Sequence, residues 1–280
     1  MTLTVIPSGQ ICGARVSGID LMEELSPALI AEIRTAWLEH KVLAFVGQSM
    51  DDDALERFTI AMGGFGEDPF FAPIEGREHI AAILREADEQ TPLFAENWHS
   101  DWSFLAAPPA GTCLLAIEIP PIGGDTLFAD QVAAFAALPD HRKEYLRTLI
   151  AIHSAQMAYA PEGAYGEKDR GRSMAIRPDE SARATQLHPL VQRHPETGEE
   201  ALFSTLGYII GIEGMAQADA IGLLSELAEW QGREEFIYRH RWEPGMLVMW
   251  DNRSVLHKAT GGYEGYRREL HRTTIAGWTA

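Results

Sequence analysis

From Ala110 onward, short strand-like runs recur between turn signals, and this recurrence narrows the fold more than any other feature of the chain. Residues 111–119, 126–128, 187–193, 201–204, 246–250 and 268–275 are each rich in apolar or β-branched side chains. Gly123-Gly124-Asp125 precedes one run, and His194-Pro195-Glu196-Thr197-Gly198 separates two others with good hairpin chemistry. Helical patterns intervene at 131–138 and 215–230. Short strands with turns between them and a few helices predict a mainly β protein with flanking helices, a β-sandwich or jelly roll. The amino-terminal part reads as short strands around helices. Residues 4–7 and 14–16 look extended, and Ser26 caps a periodic stretch at 29–38. Residues 41–46 (KVLAFV) form a buried strand, and 51–62 a second helix ended by Gly63-Gly64. With 280 residues and no Ser/Gly linker, one domain over 1–280 is expected. Two stretches, 65–95 and 161–184, are rich in Gly, Pro and charge and read as candidate lid loops.

Composition excludes several function classes. Lys plus Arg number 23 and Asp plus Glu 41, a formal charge of −18. Non-specific nucleic-acid binding and polybasic membrane attachment both need the opposite balance. An anionic small molecule is still compatible, because a pocket can be locally positive inside an acidic protein. The 46% hydrophobic content is that of a globular chain. Cys12 and Cys113, the two cysteines, exclude a disulfide framework or a Cys-rich zinc site and read as reduced thiols. Met1 to Gln10 lacks the pattern of a signal peptide, and no run of about 18 apolar residues exists. The chain reads as a soluble cytoplasmic protein.

The chemistry concentrates in Asn97-Trp98-His99-Ser100-Asp101-Trp102. His99 and Asp101 are two apart, so an extended backbone projects both from one face. Alone, such a pair is an N-cap or a surface hydrogen bond. His257, after the apolar run 246–250, supplies a third ligand. Two His and one carboxylate make the facial triad that leaves positions open on Fe(II), whereas a closed structural site would fill them. The other eight histidines read as satisfied side chains, with His153 a candidate to border the pocket. In 268–275, Arg268, Leu270, Arg272 and Thr274 share one strand face. Inward arginines need a partner, either an internal acid or a bound dicarboxylate held by two parallel hydrogen bonds. Thr126 could add a hydrogen bond to such a carboxylate. No Gly-x-Ser-x-Gly or phosphate-binding Gly-rich loop is present.

These motifs resemble the taurine dioxygenase family of Fe(II)- and 2-oxoglutarate-dependent dioxygenases, which includes phenoxyacid-herbicide and alkylsulfatase dioxygenases. The resemblance runs over nearly the whole chain. It begins at Ile11-Cys12-Gly13-Ala14 and Gly18-Ile19-Asp20-Leu21, and continues through Trp98-His99-Ser100-Asp101, Ala107-Pro108-Pro109-Ala110 and Gly123-Gly124-Asp125-Thr126. It ends with Leu187-His188-Pro189-Leu190-Val191, Trp250-Asp251-Asn252-Arg253 and Arg268 to Gly277. It implies a double-stranded β-helix (jelly roll), with Fe(II) held by His99, Asp101 and His257. It implies that Arg268, helped by Thr126, pairs with the distal carboxylate of 2-oxoglutarate. Arg272 matches a second family arginine, which serves either the substrate anion or the co-substrate. The implied reaction couples O2 and the conversion of 2-oxoglutarate to succinate and CO2 with hydroxylation of a substrate carbon, followed by bond cleavage if that carbon bears a heteroatom. Related halogenases lack the carboxylate ligand, so Asp101 favours hydroxylation. Relatives are commonly dimers or tetramers, which implies a homo-oligomer.

Departures from the taurine pattern set the substrate expectation. Phe94 and Ala95 stand where taurine enzymes hold an amine, and Phe70 and Phe71 stand where they have a polar sulfonate contact. With Trp102 and Tyr159 these give a mostly apolar pocket, with Arg272 as its anion anchor. The expected substrate is a small, largely apolar organic acid such as a sulfonate, sulfate ester or aryloxy carboxylate. Two other readings of the same three ligands are a zinc hydrolase and a non-catalytic metabolite-binding jelly-roll protein. The inward arginines disfavour the hydrolase, which has no need of a dicarboxylate clamp.

Overall fold

Two sheets face each other across a core of aromatic and branched side chains. The computed structural model describes residues 2–276, so Met1 and Gly277, both used above, lie outside the described residues. The larger sheet has seven strands in the order Thr4–Pro7, Ala14–Ser17, Val42–Phe45, Leu247–Asp251, Gly111–Glu118, Arg268–Ile275 and Ala81–Arg85. Opposite it lie Ile237–His240, Thr126–Asp130 and Val255–Ala259, paired antiparallel with Thr126–Asp130 in the centre. Leu114, Val248, Trp250 and Leu270 from the large sheet meet Phe128, Tyr238 and Val255 from the small one. Phe128 and Trp250 are in ring contact at 5.5 Å. The two sheets do not close into a barrel; the architecture is a jelly roll, as expected.

Helices cover the outer face of the large sheet. Pro27–His40 begins where Ser26 Oγ accepts from the Leu29 amide, with Pro27 in the first turn where its missing N–H costs nothing. Asp52–Met62 begins at Asp51, whose carboxylate accepts from the Ala54 amide, and ends at Gly63. Ile33, Trp37, Leu55, Phe58 and Met62 pack on Leu43, Phe45, Leu115 and Met249. All four residues of Val42–Phe45 are buried, which explains a continuous apolar run rather than an alternating one.

Several elements differ from the sequence expectation. The 187–193 run divides into Thr185–Pro189 and Val191–Arg193, which belong to different sheets. Pro189 has no N–H to carry the first ladder on. The expected hairpin forms between Val191–Arg193 and Glu200–Leu202. The helix expected over 131–138 is shorter, Gln131–Ala136, and a second helix, Asp140–Arg147, follows it. Strands Ile150–Ser154, Ile209–Ile212, Ile237–His240 and Val255–Ala259 were not anticipated. The stretch 65–95 is not loop throughout, since Ala81–Arg85 joins the sheet edge against Arg268–Ile275. No helix of the described residues is long and apolar enough to cross a membrane. Cys12 and Cys113 are free and buried.

Gly111 shows how closely helix and sheet approach. A Cβ there would lie 2.5 Å from the Trp37 ring and 2.7 Å from the Trp250 carbonyl oxygen. Neither neighbour can move, because Trp37 is fully buried and Trp250 is mid-sheet. Gly111→Ala should therefore destabilise the protein by about 1–3 kcal/mol through overpacking, read as a lower urea midpoint at unchanged m-value.

Candidate metal centre

His99, Asp101 and His257 are brought together by backbone pairing. His99 and His257 form an antiparallel bridge: the His257 amide donates to the His99 carbonyl at 2.8 Å, and the His99 amide returns the bond at 3.1 Å. The two imidazoles therefore lie side by side, with ring centroids 4.1 Å apart. Nε2 of each is 3.8 Å from Asp101 Oδ1, and one donor atom from each of the three residues falls within a 4.8 Å set. All three side chains are buried.

The surroundings fix protonation and aim. His99 Nδ1 donates to the Asn97 carbonyl at 2.8 Å, which leaves the Nε2 lone pair facing the other two ligands. Burial lowers the pKa of both histidines, that of His257 to about 3 with help from His99, so both are neutral and able to ligate at physiological pH. Burial alone would raise Asp101. Arg272, then His257 and His99, and a hydrogen bond from Thr112 outweigh it and hold the carboxyl at about 2. A relay orients that carboxylate. Trp250 Nε1 donates to Asn252 Oδ1 (2.9 Å), Asn252 Nδ2 to Thr112 Oγ1 (3.0 Å), and Thr112 Oγ1 to Asp101 Oδ2 (2.6 Å). Sequence reasoning missed Thr112 as a supporting residue; Asn252 lies in a quoted motif, but nothing local links it to Asp101.

One cavity contains the three ligands together with Thr126, Arg268 and Arg272. Arg268 sits over the Trp242 and Tyr263 rings at 5.7 and 5.9 Å. The one hydrogen bond of its side chain among the described residues is a 3.4 Å contact to the Gly124 carbonyl, and its Nε has none. Burial lowers its pKa. A buried guanidinium so poorly partnered calls for an anion in the cavity. Thr126 Oγ1 accepts from Trp242 Nε1 at 3.0 Å, which leaves the Thr126 hydroxyl proton free to donate.

Arg272 is different. It is stacked between Phe71 and Trp102, at 4.9 and 4.7 Å, and its Nη2 lies 3.6 Å from Asp101 and 3.9 Å from Asp68. Phe70, Phe71 and Trp102 thus form a buried layer behind Arg272 rather than a lining of this cavity. Phe94 borders this cavity and a second one that also contains Tyr159 and Tyr208. His153 borders neither; its Nδ1 meets Ser103 Oγ at 3.0 Å. His188 reaches the Leu105 carbonyl and His194 pairs with Asp251, in line with their reading as satisfied side chains.

Two imidazoles and a carboxylate on one side of an ion, with a cavity on the other, suit a metal that must keep exchangeable positions. The comparisons name the chemistry. Residues 4–274 match the family "Taurine catabolism dioxygenase TauD, TfdA family". An alkylsulfatase of Acinetobacter baylyi is 33% identical over 95% of this chain and 82% of its own length. An alpha-ketoglutarate-dependent 2,4-dichlorophenoxyacetate dioxygenase of Cupriavidus pinatubonensis is 35% identical over 98% of both chains. A taurine dioxygenase from Burkholderia xenovorans superposes with TM-score 0.81 at 28% identity, covering 99% of this chain and 92% of the other. The structure of AAD-2 in complex with Mn(II) and N-oxalylglycine superposes with TM-score 0.80 at 28% identity, over 100% of this chain and 99% of that one.

The chain belongs to the taurine catabolism dioxygenase family. It is accordingly a dioxygenase dependent on 2-oxoglutarate (alpha-ketoglutarate), with Fe(II) as its metal and O2 as the other co-substrate.

Thr112→Val tests the orienting relay. It removes the hydrogen bond to Asp101 and leaves the Asn252 amide unpaired, which should cost about 1–3 kcal/mol of stability. Weaker support of a ligand typically costs about 10–100-fold in metal affinity. A Mn(II) titration followed by electron paramagnetic resonance should show a loss of that order.

Proposed function

We propose that His99, Asp101 and His257 hold the iron, and that Arg268 and Thr126 hold the distal carboxylate of 2-oxoglutarate. The observation that carries this reading is the unpartnered, buried Arg268 guanidinium in the same cavity as the three-ligand set. The bound metal and keto acid supply oxidative decarboxylation coupled to hydroxylation. The residues of the chain bind, orient and exclude water. Trp242 and Tyr263 flank the guanidinium and screen it, so a carboxylate there meets an under-solvated cation. Arg272, already facing Asp101 and Asp68, steadies the iron carboxylate and presents its remaining N–H groups to substrate.

The primary substrate is a small, largely apolar organic acid, a sulfonate, sulfate ester or aryloxy carboxylate. Relatives named for sulfate esters, 2,4-dichlorophenoxyacetate and phenoxypropionate support this class, as does the aromatic surround of the site. The stretches 65–95 and 161–184 act together as a lid on a single domain. Ser173 donates to Glu89, Arg172 to the Pro92 carbonyl at 3.1 Å, and Phe71 bridges Ile176, so the two stretches are joined to each other. A cytoplasmic homo-oligomer, dimer or tetramer, completes the reading. The two free thiols fit a reducing compartment, and the oligomer is what the family resemblance implies.

Arg268→Gln tests the co-substrate assignment. With Fe(II) bound under anaerobic conditions, 2-oxoglutarate should give a visible charge-transfer band in the parent protein. The variant should need far more 2-oxoglutarate, a loss of about 2–5 kcal/mol in binding. Unchanged affinity would remove the role given to Arg268. In air, the parent protein should slowly form succinate without any substrate.

A further inference from the structure

Asp68, Arg272 and Asp101 form a chain of three charges. Arg272 Nη2 lies 3.6 Å from Asp101 Oδ1 and 3.9 Å from Asp68 Oδ2. Asp101 Oδ1 is also the oxygen that stands 3.8 Å from Nε2 of each histidine. The guanidinium and a metal ion therefore compete for one carboxylate oxygen. Of the other charges that line this cavity, Arg85 is paired with Glu89, and Arg172 with Asp169. That leaves Arg268, Arg272 and Asp101, an excess of one positive charge. A divalent metal and the dianion 2-oxoglutarate cancel each other, so the excess persists in the loaded site. Asp68 lies behind Arg272, outside the lining of this cavity, and its charge cancels the excess. The other charged or titratable groups around Asp68 line an outer cavity and are Arg77, Glu78, His79 and Arg177. Arg77 is engaged by Asp53 and Glu56, and His79 stacks on Phe65. Among the described residues, Arg272 is the one ion-pair partner of Asp68.

The fold keeps this acid at a cost. Asp68 Oδ1 is buried with no hydrogen-bond partner. Burial pushes the carboxyl up to about 6 against the pull of Arg272, with Asp101 adding to the rise and the Phe71 amide opposing it. A carboxyl raised on folding costs stability as pH rises from its ordinary 3.8 through about 6, so ionised Asp68 weakens the fold at neutral pH. Nor does its segment need the carboxylate to stay in place. Gly66 donates to the Thr274 carbonyl at 2.9 Å, and Arg177 to the Phe70 carbonyl and Ala72 to the Ala175 carbonyl, both at 2.8 Å. Groups that break a local rule in this way belong to functional sites more often than to scaffolding.

We propose that Asp68 is a positioning residue for the metal carboxylate: it draws Arg272 away from Asp101, leaves Asp101 Oδ1 to the metal, and balances the charge of the loaded site. The inference rests on the iron and 2-oxoglutarate assignments made above and is independent of the substrate. The role has a signature that damage to the fold does not share. With Asp68 neutral, Arg272 turns wholly on Asp101, and the site gains one positive charge. A cation then binds less well and an anion better. Damage to the fold would weaken both.

The test uses the full chain and Asp68→Asn, which keeps the shape and removes the charge. Mn(II) binding is followed by electron paramagnetic resonance. Binding of 2-oxoglutarate is followed by the charge-transfer band at saturating Fe(II), without O2. Mn(II) should bind the variant about tenfold more weakly, as when the support of a metal ligand is lost. 2-Oxoglutarate should bind it several-fold more tightly, and its urea midpoint should be unchanged or higher. A second measurement needs no further variant. Well below pH 6 the parent's Asp68 is protonated, so the Mn(II) affinities of parent and variant should converge there. Proton competition at the histidines is common to both and cancels in the ratio. Equal Mn(II) affinities at neutral pH would overturn the proposal. So would a joint weakening of Mn(II) and 2-oxoglutarate, or an affinity ratio that stays constant with pH. Each of these results leaves the iron and 2-oxoglutarate assignments standing. Absence of the charge-transfer band in the parent would bring those assignments down, and the role of Asp68 with them.

Discussion

The pair of backbone hydrogen bonds between His99 and His257 is the constraint on which the site depends. Each ligand's amide is bonded to the other's carbonyl, so their separation is set by sheet geometry rather than by side-chain packing. Cross-strand neighbours in such a pair have Cβ atoms about 4.5–5.5 Å apart, which is the spacing two imidazoles need to share one ion. Asp101, two residues beyond His99, is then delivered to the same point, and its second oxygen is held by Thr112 on the adjacent large sheet. His257 thus comes from a strand of the small sheet, His99 from the segment bridged to it and Asp101 from the turn that follows, while the large sheet contributes Thr112 as the support of the carboxylate.

Burying a carboxylate, two imidazoles and two guanidiniums together would be costly without compensation. The structure compensates unequally. Arg272 has Asp101 on one side and Asp68 on the other, and rests between two aromatic faces. Asp68 feels the cost in turn, since burial pushes its carboxyl up to about 6 against the pull of Arg272. Arg268 has no such acid among the described residues, and leans on aromatic faces and one long bond. Of two inward arginines on one strand, one is neutralised by the protein and the other has no acid partner among the described residues.

Much of this was legible in the sequence because period-two patterns carry over directly into strand faces. Arg268 with Arg272 is a relation of that kind and lies in one strand; His99 and Asp101 also converge, but through a bridge residue followed by a turn rather than along an extended strand. The helix caps at Ser26 and Asp51 were likewise local. What could not be read was pairing between distant segments. Val255–Ala259 is a five-residue strand with two half-exposed residues, and its place in the small sheet is fixed by Thr126–Asp130 rather than by its own pattern. Thr112, Tyr208, Tyr263 and Trp242 have no local signature, because their roles depend on what stands opposite. Phe70, Phe71 and Trp102 show the converse. Aromatics near a metal motif suggest a pocket wall, yet three of them are packing that backs Arg272, while the aromatic cavity surface is made by Phe94 and Trp98 together with Tyr159, Tyr165 and Tyr208.

The isolation of Arg268 goes with the way the stretches 65–95 and 161–184 meet. Arg85 is its direct cross-strand neighbour, and Glu89 lines the same cavity, so an acid is within the same enclosure as the lone cation. Glu89 is nevertheless occupied. It accepts from Thr91, from the Ser173 hydroxyl and amide, and from Arg85 at 3.3 Å, and Arg172 stands 3.9 Å away. Burial alone would raise its pKa, but the Ser173 and Thr91 hydrogen bonds and Arg85 lower it overall, so it is a settled anion. The acid that could have quenched Arg268 is thus spent on joining the two stretches. One carboxylate thus joins the stretches 65–95 and 161–184, and the buried Arg268 in the same cavity is left without an acid partner among the described residues.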